Sequence, residues 1–319
     1  MSNGNILLVW GDNRDRRALY KALATTGAGV SFANDPSQLR AGLEQCRLVV
    51  MDYDAVRDTA REVLQHLSLQ PSPPPVLVVT SSNHKADLIE LFGHAALTNL
   101  VAKNADFNLN ELIITAQKVI RNDIFGLDKY LSWGVQAYQY NITSSAGRFG
   151  PMKDLESYLH AIGANRRLAA LAHSVADELL MNAIYNAPAD PQGNPKYASR
   201  SRTEQVELLP DETVSFSFAC DGQYLGLCVA DRFGRLETDT VRNYLRKCFL
   251  QGENQIDTKD GGAGLGLYYI FQSLNHFIIN VARGKRTELI GLMDISGSFK
   301  DFAQRTKSLH LFIAGGRQQ

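Results

Sequence analysis

The chain has no excess of charge of either sign, little cysteine and no long apolar run. Its 319 residues carry 33 Lys+Arg against 33 Asp+Glu, a formal net charge of +0. No overall field draws such a protein to nucleic acid or to an anionic membrane surface. The basic residues that do gather, Arg242, Arg246 and Lys247, share a helical face and read as a solvated one. The four cysteines, Cys46, Cys220, Cys228 and Cys248, form no CxxC pair and no Cys/His spacing suited to zinc. They read as small buried hydrophobes of a reducing compartment. No apolar run approaches the length of a membrane span, and the opening MSNGNILLVWGDN is too short and too uncharged at its front for a secretory signal. A cytoplasmic protein without nucleic-acid or membrane partners is expected. Internal repeats and low-complexity tracts are missing as well. What remains, 45% hydrophobic and 21% charged residues, is the composition of a globular chain long enough for two domains.

Two halves differ in pattern. Up to about Ile120, short β-branched runs (ILLVW at 6 to 10, RLVVMD at 47 to 52, VLVVT at 76 to 80, LTNLVAK at 97 to 103) alternate with amphipathic stretches such as RRALYKALATTG. That alternation means βαβ units and a parallel sheet buried on both faces. PSPPP before Val76 is a rigid loop leading into a strand. Residues 123 to 165 read as a connector, with helical character in DKYLSWGVQAYQY and a break at TSSAGRFGP.

A parallel sheet carries its functional residues at the carboxyl ends of its strands. Here those are Trp10, Gly11 and Asp12 after the first strand, Asp52 after the third, Thr80 after the fourth and Lys103 after the fifth. Asp52, Thr80 and Lys103 resemble, position by position, the response-regulator receiver domain. The resemblance implies a doubly wound domain over residues 1 to 122 in which Asp52 accepts a phosphoryl group that Thr80 and Lys103 sense. In that family an acidic pair after the first strand holds Mg²⁺. Trp10 and Gly11 stand there instead and supply no oxygen ligand, Asp12 comes one place late, and Asn104 replaces the usual proline after the lysine. Two readings follow, a phosphoacceptor at Asp52 and a degenerate receiver kept as an interaction surface.

In the second half, NRRLAALAHSVADELLMNAIYNAP (165 to 188) has Leu168, Leu171, Val175, Leu179 and Ala183 at helical spacing, and Pro188 ends the helix. Glu178, Asn182 and Asn186 follow at i, i+4 and i+8 along the edge of that stripe, an oxygen-rich line suited to Mg²⁺ and water or to a plain solvated edge. After a long Pro/Gly/Asn-rich insert (187 to 211) comes a hairpin, VSFSFA and YLGLCVA joined through Asp221-Gly222, which ends in Asp231. A polar stretch from Arg232 to Asp260 leads to GGAGLGLYYI, whose four glycines in six residues require something to approach the backbone closely. HFIINVAR, ELIGLMDI and SLHLFIA read as further antiparallel strands.

That order, with ELLMNA, DRFG and GGAGLGL, resembles the GHKL ATPase superfamily, which contains histidine-kinase catalytic domains, anti-sigma-factor serine kinases, gyrase-type topoisomerases and MutL-like proteins. The resemblance spans residues 166 to 319 and implies an α/β sandwich of the Bergerat type that binds Mg-ATP. It implies Asn182 as Mg²⁺ ligand, Asn186 beside it at the nucleotide and Glu178 as the carboxylate that activates the attacking group. Asp231 takes the adenine amino group, with Gly234 in the following loop. Gly262, Gly264 and Gly266 form a turn whose N–H groups meet the phosphates at a helix N-terminus. The stretch 232 to 260 becomes a lid. Family members usually have DxGxG where this chain has Asp231-Arg232-Phe233-Gly234, and many carry a basic residue near the position of Tyr185.

None of the seven histidines sits in the setting of a phosphoacceptor histidine, and His173 reads as structural. With no transducer domain and no basic DNA face, the chain resembles the compact modules that phosphorylate a Ser or Thr of a partner protein. The expectation is a signalling protein that binds Mg-ATP and phosphorylates a partner or hydrolyses ATP. The competing reading is a non-catalytic adaptor in which both domains hold partners. Receiver domains often pair through their last helices, so a homodimer through residues 97 to 120 is expected.

Overall fold

The apolar runs of the first half become five short strands, β1 (Asn5–Val9), β2 (Gly29–Phe32), β3 (Cys46–Asp52), β4 (Val76–Thr80) and β5 (Leu97–Ala102). They pair in parallel in the order β2-β1-β3-β4-β5. Helices α1 (Asn13–Ala24), α2 (Pro36–Gln45), α3 (Arg57–Ser68), α4 (Lys85–Leu91) and α5 (Leu109–Arg121) alternate with them. This computed structural model describes residues 5–11, 13–33, 35–104, 107, 109–251 and 263–315. Those residues form one compact unit that runs to Ile124 and resumes at Thr306, and a second, Phe125–Arg305.

Alternation along the strands fills both faces of the first sheet. Ile6, Leu8, Val50, Leu77 and Val79 pack with Leu19 and Leu23 of α1 and Leu112 and Ala116 of α5. The intervening Leu7, Val49, Met51 and Val78 are equally buried and point the other way. There α2 comes so close that a Cβ on Gly42 would strike Leu7. The α3–α4 edge is tied by two forked ion pairs, Arg57 to Asp87 at 2.7 and 3.1 Å and Arg61 to Glu90.

The second unit is built on an antiparallel sheet. After a 3₁₀ turn (Leu127–Tyr130) come β6 (Tyr138–Ile142), α6 (Phe149–Ala161), α7 (Arg166–Met181), β7 (Val214–Cys220) and β8 (Tyr224–Asp231). Helices α8 (Thr238–Gln251) and α9 (Ala263–Gln272), strands β9 (His276–Ala282) and β10 (Arg286–Asp294), and helix α10 (Phe299–Gln304) complete it. Its strand order is β9-β10-β8-β7-β6, antiparallel at every pair. α7 lies between α6 and α9 and packs against β8. The whole is a helical layer on a sheet, an α/β fold as the sequence predicts.

The structure corrects the connector. The stretch YQYNI within the region expected to be helical is an edge strand, because its alternation puts Tyr138 and Tyr140 opposite Phe218 and Phe216. Tyr138 stacks on Phe218 with ring centroids 5.2 Å apart, and cross-strand aromatic pairs of this kind outweigh helical propensity. Three further details differ from expectation. Arg242 is buried and pairs with Asp239 at 2.9 Å, while Arg246 and Lys247 are exposed. His173 is exposed rather than packed. The last strand, β11 (Ser308–Ile313), joins the first unit, where Leu309 and His310 pair antiparallel with Leu100 and Asn99 of β5. The cysteines are all free, with Cys46, Cys228 and Cys248 buried, and burial pushes the Cys228 thiol far up. Among the described residues no helix is long and apolar enough to cross a membrane.

Candidate functional site

In the first unit the strand ends bring Asp52 and Lys103 together and leave Thr80 with another partner. Asp52 is 1% exposed, and its Oδ2 accepts from Lys103 Nζ at 2.9 Å while Oδ1 accepts from the Ala55 N–H at 3.2 Å. Thr80 Oγ1 donates instead to Asp54 Oδ1 at 2.7 Å, and Ser81 donates from its N–H and its hydroxyl to Asp54 Oδ2 at 2.6 and 2.7 Å. Partial burial of Asp54 opposes ionisation. The Ser81 N–H, the two hydroxyls and the Lys103 charge more than offset it and hold the Asp54 carboxyl below its usual range. The indole of Trp10 is buried in the core, with Lys103 Nζ 5.2 Å from its ring centroid. A Cβ on Gly11 would stand 2.9 Å from that of Ala55. Neither Trp10 nor Gly11 brings an oxygen ligand to Asp52, whose side-chain partner is the Lys103 ammonium, and Asp12 lies outside the described residues. Nothing in the sequence marked Asp54, which meets Thr80 only because β3 and β4 are neighbours.

In the second unit the site is built from the end of α7, the end of β8 and one face of α9. Asn165 caps α7 through its side chain, which accepts from the Arg167 N–H at 2.9 Å, and Leu168, Ala172, Val175 and Leu179 bury one side of the helix. Beyond Met181 the chain widens into a π-helical turn, Asn182–Asn186, an irregularity often found at functional sites. The expected line of Glu178, Asn182 and Asn186 persists through it, since Asn186 Nδ2 donates to Asn182 Oδ1 at 2.9 Å.

Asp231 closes β8 and is 8% exposed. Its Oδ1 accepts from the N–H groups of Phe233 at 2.8 Å and Gly234 at 3.2 Å. Burial pushes its carboxyl up, against the pull of those hydrogen bonds and of Thr287. Thr287 sits opposite Asp231 in the β8–β10 register, a juxtaposition no sequence motif announces. Gly234 has φ +61°, and a Cβ there would collide with the Ala282 carbonyl and stand 2.8 and 2.9 Å from the amide nitrogens of Lys285 and Arg286. Only glycine lets this loop lie on the β9–β10 turn.

Asn182, Asn186 and Asp231 line one cavity of about 200 Å³. Val229, Leu236, Leu267 and Leu289 supply its apolar walls, and Thr287 and Arg235 add polar groups. A small, mostly apolar cleft with a few convergent polar groups is the usual form of a small-molecule site. A buried carboxylate at its end suits a flat heterocycle bearing an amino group.

Glu178 stands next to this cavity and explains one glycine. A Cβ on Gly266 would overlap Glu178 Oε1 and lie 2.7 Å from Cδ, so the missing side chain makes room for the carboxylate. Gly264 and Gly266 lie within α9 itself rather than in a turn ahead of it, because the helix begins at Ala263. Gly262, Gly261 and the part of the expected lid at 252 to 260 lie outside the described residues. Glu178 Oε2 accepts from Arg202 Nη1 at 2.9 Å, and Arg202 Nη2 is 3.4 Å from Asn182 Oδ1. Glu178 Oε1 and Asn182 Nδ2 are buried and meet no hydrogen-bond partner among the described residues. Buried polar atoms left so cost free energy, and a bound ligand would relieve it. The oxygens of Glu178 and Asn182 are the hard donors Mg²⁺ takes. Arg202 comes from the insert, where sequence spacing gives no warning of it.

No family model matches the chain, and no curated protein does. Solved structures resemble parts of it. A response regulator from Thermotoga maritima is 18% identical over 37% of this chain and 98% of its own, with a TM-score of 0.32. The phosphorylated cyanobacterial phytochrome response regulator RcpA is 22% identical over 39% of this chain and 97% of its own, with a TM-score of 0.32. The SiaB–SiaC complex from Pseudomonas aeruginosa is 16% identical over 50% of this chain and 89% of the matched chain, with a TM-score of 0.34.

Proposed function

We propose that the second unit binds Mg-ATP and transfers the terminal phosphoryl group to a Ser or Thr hydroxyl of a partner protein, or to water, within a signalling pathway. The observation that carries this reading is the convergence of Asn182, Asn186 and Asp231 on one cavity with Glu178 beside it. Asp231 would accept the adenine amino group, Val229, Leu267 and Leu289 would supply the apolar lining for the ring, and Asn182 would hold the metal. Bound Mg²⁺ supplies neutralisation of phosphate charge. Glu178 takes the proton of the acceptor hydroxyl as general base.

In the receiver-like unit the observations favour a different role. Thr80 and the Ser81 N–H are occupied by the Asp54 carboxylate, and Trp10 and Gly11 offer no side-chain oxygen where a metal-binding pair would stand. We read this unit as a surface for a protein partner or for a second copy of the chain, not as a phosphoacceptor.

Calorimetric titration with Mg-ATP and Mg-ADP tests the reading. Asn182→Ala and Asp231→Ala should each weaken binding by roughly tenfold or more, the worth of a hydrogen bond to a charged group. Absence of binding by the wild type would leave a two-domain adaptor. Affinity should also depend on pH through Asp231. The ionised carboxylate accepts from an amino group more strongly than the protonated one, and burial raises its pKa, so binding should weaken on acidification at a pH above the ordinary aspartate range. In Asp231→Asn that step should vanish from the affinity-versus-pH curve.

A further inference from the structure

The insert between α7 and β7 is built around its placement of Arg202. Ser201 to Glu204 form a tight turn, closed by the Glu204 N–H donating to Ser201 O at 2.9 Å and by Glu204 Oε1 accepting from the Ser201 N–H at 3.1 Å. The turn is fastened to the core by Tyr185, which is 2% exposed and donates from its hydroxyl to Glu204 O at 2.6 Å, with Arg202 O at 3.3 Å. Further along, Val206 and Leu208 are buried, and Lys196 and Tyr197 engage the buried carboxylate of Glu212. The insert is thus anchored on both sides of the turn, and the guanidinium is held over Glu178 and Asn182.

We infer that Arg202 is an internal cation that occupies the metal position of the nucleotide site and must be displaced before Mg²⁺ can bind there. This rests on the reading of Glu178 and Asn182 given above. The chemistry follows from the oxygens. Mg²⁺ requires its ligands at about 2.1 Å in near-octahedral order, and a guanidinium forked over the same carboxylate and amide excludes it by charge and by volume. Arginine does not deprotonate to yield the place. Asn186 occupies the Asn182 amide oxygen as well, so the metal ligand and the carboxylate beside it are both engaged from within the chain. A partner that pulls on the turn at 201 to 204 would open the site to metal. Tyr185 is then the positioning residue: it fixes the turn that delivers the charge.

The test uses the full chain and Mn²⁺ as probe, with free Mn²⁺ followed by electron paramagnetic resonance, with and without ADP. Arg202→Ala should bind Mn²⁺ roughly three- to tenfold more tightly than wild type, the range for losing a partly exposed charged hydrogen bond. Tyr185→Phe should move in the same direction by less, a shift that a merely structural tyrosine would not produce. Adding Asn182→Ala to Arg202→Ala should abolish the gain. Unchanged Mn²⁺ affinity in Arg202→Ala would overturn the inference and leave a surface ion pair. Weaker ATP binding with ADP binding unchanged would also overturn it, making Arg202 a ligand of the terminal phosphate. If wild type binds no nucleotide while Arg202→Ala still gains Mn²⁺ affinity, the cation role stands and the ATP reading falls.

Discussion

Glu178→Gln is expected to lower the rate of phosphoryl transfer or hydrolysis by ~10²–10⁴-fold at saturating Mg-ATP, the contribution of a positioned general base. Glutamine keeps the shape that fits against Gly266 and can still face Arg202, but it cannot take a proton. Nucleotide affinity should persist, because Asn182, Asp231 and the apolar walls of the cavity are untouched. Phosphate release and transfer to added protein acceptors, measured beside a binding isotherm, separate the two quantities. A variant that binds and turns over like wild type would remove Glu178 from the chemistry and restrict the site to nucleotide sensing.

Gly234→Ala should cost about 3 kcal/mol or more of stability in the second unit. The backbone there has φ +61°, and the added methyl would meet one carbonyl and two amide nitrogens of the β9–β10 turn, none of which is a flexible side-chain end. For a unit of this size the loss corresponds to a fall in Tm of roughly 6–12 °C. Gly222→Ala is the control. Its φ is +94° and nothing lies within 4 Å of the added methyl, so roughly 1–2 kcal/mol of backbone strain is the whole expected effect. Equal shifts in the two variants, read by thermal unfolding, would mean that the Gly234 loop relaxes away from the turn. The larger shift in Gly234→Ala should bring weaker nucleotide binding with it, since the Gly234 N–H is one of the two that orient Asp231.

The parts of this architecture visible in the sequence are those set by local pattern. The runs ending at Asp52, Thr80 and Lys103 are strands because unbroken β-branched stretches suit a sheet covered on both faces. The strand count leaves a place for β2, but no run marks its residues, because it is a short edge strand that is only partly buried. A helix and a strand both fit the mixture in YQYNI, and the choice falls to Phe216 and Phe218, some 80 residues away in sequence. The same limit applies to the site. Glu178, Asn182 and Asn186 are spaced by one helix and are legible together. Thr287, Arg202 and Asp54 reach their partners through register and chain reversal, which leave no periodic trace. Where the resemblance implies phosphates near the glycine cluster, the group that approaches Gly266 is a carboxylate of the protein's own α7.

The return of β11 to the first unit has a consequence for how the chain is made. A ribosome releases residues in order, so the strand that hydrogen-bonds β5 emerges after every residue of the second unit. Until then β5 presents an open row of N–H and C=O groups, the kind of edge that recruits other strands. The second unit is thus inserted within the sequence of the first. Truncation after Arg305 would remove no residue of the cavity lined by Asn182 and Asp231, yet it would strip a strand from the first unit at the opposite end of the sequence.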